Sequence, residues 1–343
     1  MNAAKESAFE ICVDLKRREG QISAIEANSR IDQALAVATL SGEYLEIACA
    51  IAHCPCLNDQ AWAGRIFHQA ISTAESGRDL IDVGYQIATC ESLGNKDWAR
   101  AVFEEALSKL DLDDFEETNR LAAMFLDPLV LGDKERGKTI LENLLARDGI
   151  GSHETIAIAQ TIVDDNLLGD KAWASALIDR AADSVEYSND YIEIACCVAA
   201  ESGLNRKEEG RRWFETAVRE FSQNTPLDFL EIARCVSNPA TLNDKVWAID
   251  LCISSYSSID EVARLLDIAA FTASLDRDVS VSIFKKALAK AITPNEFLSI
   301  ACNVASQDVL GDKKWASEIF ERACIGAGQE EIALIEANKK TFL

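Results

Sequence analysis

The stretch Leu168-Gly169-Asp170-Lys171-Ala172-Trp173-Ala174 has near copies along the chain. They are Leu93-Gly94-Asn95-Lys96-Asp97-Trp98-Ala99, Leu242-Asn243-Asp244-Lys245-Val246-Trp247-Ala248 and Leu310-Gly311-Asp312-Lys313-Lys314-Trp315-Ala316. Such a period restricts the chain to an array of like units, none able to bury its own apolar face without the next. Aligned on the tryptophan slot, equivalent residues are Trp62, Trp98, Arg136, Trp173, Glu209, Trp247, Val279 and Trp315. The steps are 36–38 residues apart from one of 32. Fourteen residues before each lies a second anchor, in most repeats small: Ala48, Gly84, Ala122, Ala159, Ala195, Ala233, Leu265 and Ala301. That constant offset predicts a constant turn between two elements.

Both elements read as helices. In the first, Leu45, Ile47, Ala48, Ile51 and Ala52 recur as Ile192, Ile194, Ala195, Val198 and Ala199, the spacing of an amphipathic helix. The second starts at the turn's Asp or Asn, whose side chain can accept the unpaired amides of the first turn. Just before it, Gly94, Gly132, Gly169 and Gly311 suit the left-handed conformation that ends the first helix. Each repeat is thus a helical hairpin, and the expected fold is all-α: an α-solenoid of about nine antiparallel helix pairs forming a single domain. Residues 1–43 make an amino-terminal capping pair, 44–328 eight repeats and 329–343 a capping helix, with Ile332, Leu334 and Ile335 covering the last apolar face.

Two repeats depart from the pattern. One has Arg206 at the capping position and its tryptophan one turn on, at Trp213, expected to fill a similar space. The 32-residue step ends at Asp276-Arg277-Asp278-Val279, where a local change of curvature near residues 255–280 is expected.

Composition narrows the function classes. A balance of 57 acidic against 34 basic residues, net −23, repels phosphate backbones and anionic membranes, so neither nucleic acid nor membrane is an expected partner. Thirteen of those negative charges fall within residues 101–200. Eleven cysteines are an odd number, many share repeat positions, and the chain starts without the apolar core of a signal peptide. Small buried thiols in a cytoplasmic protein are expected.

The second helices resemble those of tetratricopeptide repeats. The Gly-Asp turn is followed by a small residue, a large apolar one four on and Ala seven on. The sets are Ala63, Phe67 and Ala70; Ala99, Phe103 and Ala106; Ala174, Ile178 and Ala181; Gly210, Phe214 and Ala217; and Ala316, Phe320 and Ala323. The resemblance covers nearly the whole chain. It departs in first helices that carry Ile and Ala where that family favours Trp, Leu-Gly and Tyr, in the absence of a trailing Pro, and in repeats two or three residues longer. It implies a right-handed solenoid with a concave face.

Candidate residues follow. The recurrent Trp62, Trp98, Trp173, Trp247 and Trp315 are read as structural core wedges between hairpins, so Trp173→Ala is expected to cost about 3–5 kcal/mol. The residue after the small anchor varies where its neighbours repeat. By the resemblance it faces the groove, making Tyr85, Gln160 and Arg234 candidate partner contacts; the alternative is a half-buried position. Asp113, Glu116 and Glu117, with Asp164 and Asp165, are candidates for an acidic edge that meets a basic partner. His53, Cys54, Cys56 and His68 have metal-ligand side chains, but their spacing fits no zinc pattern. No metal, cofactor or catalytic residue is expected, since no phosphate loop, HExxH or GxSxG pattern occurs.

The expected function is a non-catalytic scaffold or adaptor that binds a basic or amphipathic protein segment. The alternative is a structural component that self-assembles into a homo-oligomer through its ends or edges.

Overall fold

The computed structural model describes residues 6–18, 21–57, 59–90, 92–111, 114–185, 187–224 and 229–343, with side chains 222–224 outside the description. Among the described residues there are nineteen α-helices and no strand. In order they are α1 (Ala8–Arg17), α2 (Ala24–Leu35), α3 (Ser41–His53), α4 (Gln60–Thr73), α5 (Gly77–Thr89), α6 (Lys96–Lys109), α7 (Phe115–Leu126), α8 (Lys134–Leu145), α9 (Ser152–Val163) and α10 (Lys171–Ala182). There follow α11 (Ser188–Ala199), α12 (Lys207–Asn224), α13 (Leu230–Ser237), α14 (Lys245–Tyr256), α15 (Val262–Ala273), α16 (Arg277–Lys290), α17 (Pro294–Ala305), α18 (Lys313–Ala323) and α19 (Gln329–Phe342). Taken two by two they are nine pairs and a terminal helix. No described helix is long and apolar enough to cross a membrane.

The chain falls into two compact units, Met1–Leu177 and Ile178–Leu343. In the first, α1 packs on α2, α3 on α4, α5 on α6 and α7 on α8, while the first helices α1, α3, α5, α7 and α9 lie successively side by side. In the second, the hairpins are α11 with α12, α13 with α14, α15 with α16 and α17 with α18, and α19 packs on both α17 and α18.

Why the hairpins close is visible at their turns. The side chains of Asp59, Asn95, Asp133, Asp170, Asp244 and Asp312 each accept the amide three residues on, that of Trp62, Trp98, Arg136, Trp173, Trp247 and Trp315, at 2.8–3.1 Å. The tryptophan slot is therefore the third helical residue, fixed by a cap. In five repeats the residue at the cap also sends its own N–H back eight residues, to the carbonyls of Phe125, Ile162, Val198, Val236 and Val304. The residue before it has a positive φ: Gly132, Gly169 and Gly311 as the sequence suggests, and Asn205 and Asn243 where side chains that tolerate this region replace glycine.

The turn is not constant, however. In the first two repeats of residues 44–328 the first helix runs one residue further, to caps at Cys54 and Cys90, and the next helix is capped five rather than six residues later. The fourteen-residue offset survives because one lengthening offsets the other shortening.

The core follows the small-large-small pattern. Ala63, Phe67 and Ala70, Ala99, Phe103 and Ala106, and Ala316, Phe320 and Ala323 are all fully buried. The helices approach closely enough that a methyl group built on Gly84 would stand 2.5 Å from Phe103 Cε1, and one on Gly210 would stand 2.5 Å from Ala199 Cβ. At the carboxyl end only Ile335 is buried. Ile332 and Leu334 point outward, because a helix laid along the last hairpin turns one narrow stripe inward.

Candidate interaction face

Along the first unit the adjacent first helices are joined by polar side chains on their outer surface. Lys16 reaches Glu46 at 2.8 Å, Arg120 reaches Asp82 at 2.6 Å and Thr161 donates to Asn119 at 3.3 Å. Asp82 and Arg120 hold the same repeat position one unit apart, so opposite charge at equal phase was the available sequence signal. Tyr85 on α5 and Gln160 on α9 stand exposed on this surface. The same slot is lined less openly by Cys49, whose thiol faces Gln86 Oε1 at 3.6 Å, and by Ala123. Arg234 on α13 is exposed in the second unit. Each of the three candidates projects to solvent from its own helix.

The acidic candidates are differently placed. Asp113 lies outside the described residues. Glu116 is exposed in the first turn of α7, whereas Glu117 is held by Arg120 at 3.2 Å and Arg78 at 3.3 Å. Asp164 caps its own turn by accepting the Asn166 amide at 2.8 Å, and Asp165 pairs with Lys171 at 3.3 Å. Three of these acids thus answer cations or amides of their own chain.

All five anchor tryptophans are half-buried rather than enclosed. Four have identified packing partners on the second helix of the preceding repeat. Trp98 meets Phe67 edge-on at 6.2 Å and lies 4.5 Å from the His68 ring; Trp315 meets Phe284 at 6.4 Å; Lys138 stands over Trp173 at 5.5 Å, and Arg211 over Trp247 at 5.0 Å. Trp213 stacks instead on Tyr191 of its own hairpin, 6.2 Å away, so its one-turn shift changes the partner. Because the Trp173 ring keeps one side in water, Trp173→Ala is expected to cost about 1–3 kcal/mol, less than a full core cavity. Urea unfolding followed by circular dichroism measures it.

Basic residues also reach the next repeat's cap. Arg100 pairs with Asp133, and Arg211 with Asp244 at 2.5 Å. The capped amides of Arg136 and Trp247, then these arginines, hold both carboxyls below the usual aspartate range. A depressed folded pKa gives stability that is complete above the unfolded value near 3.9 and is lost as pH falls through the folded one. Asp244→Ala is therefore expected to cost about 1 kcal/mol at pH 7 and progressively less as pH falls below the unfolded aspartate value and through the depressed folded one. Melting curves of both chains across that range test this.

The metal-type residues do not converge. His53 bonds Cys49 O through Nδ1 at 2.8 Å, His68 lies against Trp98, and only Cys54 and Cys56 meet, their sulfurs 2.9 Å apart.

Neither a protein-family model nor a curated protein matches the chain. Among solved structures it is similar to a protective antigen present in uropathogenic Escherichia coli strains that displays an SLR fold, at 13% identity and a TM-score of 0.31, over 92% of this chain and 68% of that one. The fold described above rests on the helices themselves.

Proposed function

We propose that the chain is a non-catalytic scaffold that binds a protein segment across its first helices. The observation that supports this is a constant frame under a variable surface. Buried small and large residues repeat from hairpin to hairpin, while the exposed slot beside the small anchor changes to Tyr85, Gln160 and Arg234. Adjacent parallel helices about 8–10 Å apart present such side chains at intervals suited to an extended or helical segment. Tetratricopeptide arrays, which the second helices resemble, use their first helices in this way. A basic segment is the favoured partner on net charge, with Glu116 an exposed acid of its cluster.

The test is a capture experiment with the full chain and a Tyr85→Ala/Gln160→Ala variant, washed at low and high salt. Partners retained by the parent and lost by the variant support the face, and release by salt supports a basic ligand. Equal capture by both chains sinks the assignment. A second reading, self-assembly through the carboxyl end, is favoured by the outward Ile332 and Leu334 and by Ile325, which is 77% exposed. Light scattering that gives a monomer at high concentration removes it.

A further inference from the structure

The turn after α3 differs from its counterparts in one chemical respect. At this position the first helix ends on a residue with φ between −70° and −62° and ψ between 115° and 127° at Cys54, Cys90, Asp127, Asp164 and Asn238. In each case the side chain folds over the residue two further on. Asp127, Asp164 and Asn238 accept the amides of Leu129, Asn166 and Ala240 at 2.8, 2.8 and 2.9 Å, and Cys90 Sγ meets Ser92 Oγ at 3.1 Å. The backbone of the turn is therefore a device that aims side chain i at residue i+2. At Cys54-Pro55-Cys56 both residues are cysteines, and the device brings Sγ to Sγ at 2.9 Å.

We propose that Cys54 and Cys56 form a redox-active thiol pair that exchanges electrons with small disulfides. A thiolate of the pair attacks one sulfur of the external disulfide, breaks its S–S bond and expels a first thiolate. The second cysteine then attacks the mixed disulfide, closes the Cys54–Cys56 bond and expels the other. Two electrons pass from the pair to the external disulfide, and the pair's two protons end on the two released thiols. The sulfurs need only close from 2.9 Å to about 2.05 Å.

Exposure separates this pair from the buried thiols. Both cysteines are part-exposed at a turn, and Cys54 lines a small cavity of about 30 Å³ with Lys16 and His53. Burial pushes Cys12 and Cys197 up to about 11 and Cys49 up to about 12, and the bond to Cys54 pushes Cys56 up as well, so exposure and the sulfur-to-sulfur contact set the pair apart from the buried thiols. A disulfide closed across one intervening residue is a strained ring, which favours ready re-reduction over permanence.

The experiment equilibrates the full native chain with glutathione and glutathione disulfide at stepped ratios, quenches with an alkylating agent and maps the labels by mass spectrometry. The expected result is joint loss of both labels at Cys54 and Cys56, at a ratio about tenfold less oxidising than the urea-unfolded chain requires, because the turn preorganises the pair. The Cys54→Ser and Cys56→Ser chains are each expected to retain a glutathione adduct that the parent resolves. Cys54→Asp, which restores the side chain carried at Asp127 and Asp164, is expected to fold and to lose the exchange. Two labels retained by the native parent at the oxidising end, or equal behaviour in the native and unfolded chains, would overturn the proposal.

Discussion

Replacing Phe103 by alanine is expected to lower the free energy of unfolding by about 3–5 kcal/mol, the largest effect of any single truncation proposed for this chain. Phe103 is fully buried on α6, its ring 5.9 Å from that of Phe125 in the next repeat and pressed onto the bare Cα of Gly84. One side chain thus closes its own hairpin and the seam to its neighbour. In an array each unit depends on the next, so the loss counts both within the hairpin and at the seam. Urea titration followed by circular dichroism gives the value, and a midpoint within error of the parent's would refute the packing argument.

The second large effect is the reverse operation. Gly84→Ala adds one methyl group where Phe103 Cε1 and Cδ1 would stand 2.5 and 2.7 Å away, and the ring it meets is itself fully buried. Overpacking of this kind is expected to cost about 1–3 kcal/mol, although alanine in place of a mid-helix glycine ordinarily gains about 1. The two substitutions are coupled. In a Phe103→Ala chain the added methyl group has space, so Gly84→Ala should there be neutral or stabilising. Additive costs in the double variant would show that Gly84 is needed for some other reason.

These residues also mark what was legible beforehand. Gly84, at a position that holds alanine in most other repeats, and Phe103, five residues after Trp98, stand out by period alone, and their burial is what that period implies. The caps were equally legible, since an Asp or Asn followed three residues on by the tryptophan slot has one local purpose. Tryptophan burial was not. A ring fixed by its cap at the third helical residue faces the preceding hairpin, and how much of it stays wet depends on the side chain opposite: Phe67, Lys138, Arg211 or Phe284. The acidic candidates show the same divide. Sequence showed where the charge is dense, but the pairing of Glu117 with Arg78, 39 residues away on α5, needed helices placed side by side.

What the sequence alone determined is everything with a short range and a period: the helical hairpins, their Asp and Asn caps, the glycines of their left-handed turns and the buried small-large-small stripe. Those follow from backbone hydrogen bonding and apolar spacing within some forty residues, which a repeat writes out again and again. Only the tertiary structure decided which polar groups answer one another between repeats, that the first two turns are one residue shorter, and that Cys54 and Cys56 meet while His53 and His68 turn elsewhere. Each depends on distances of a few ångströms between side chains whose orientation is set by packing rather than by spacing along the chain.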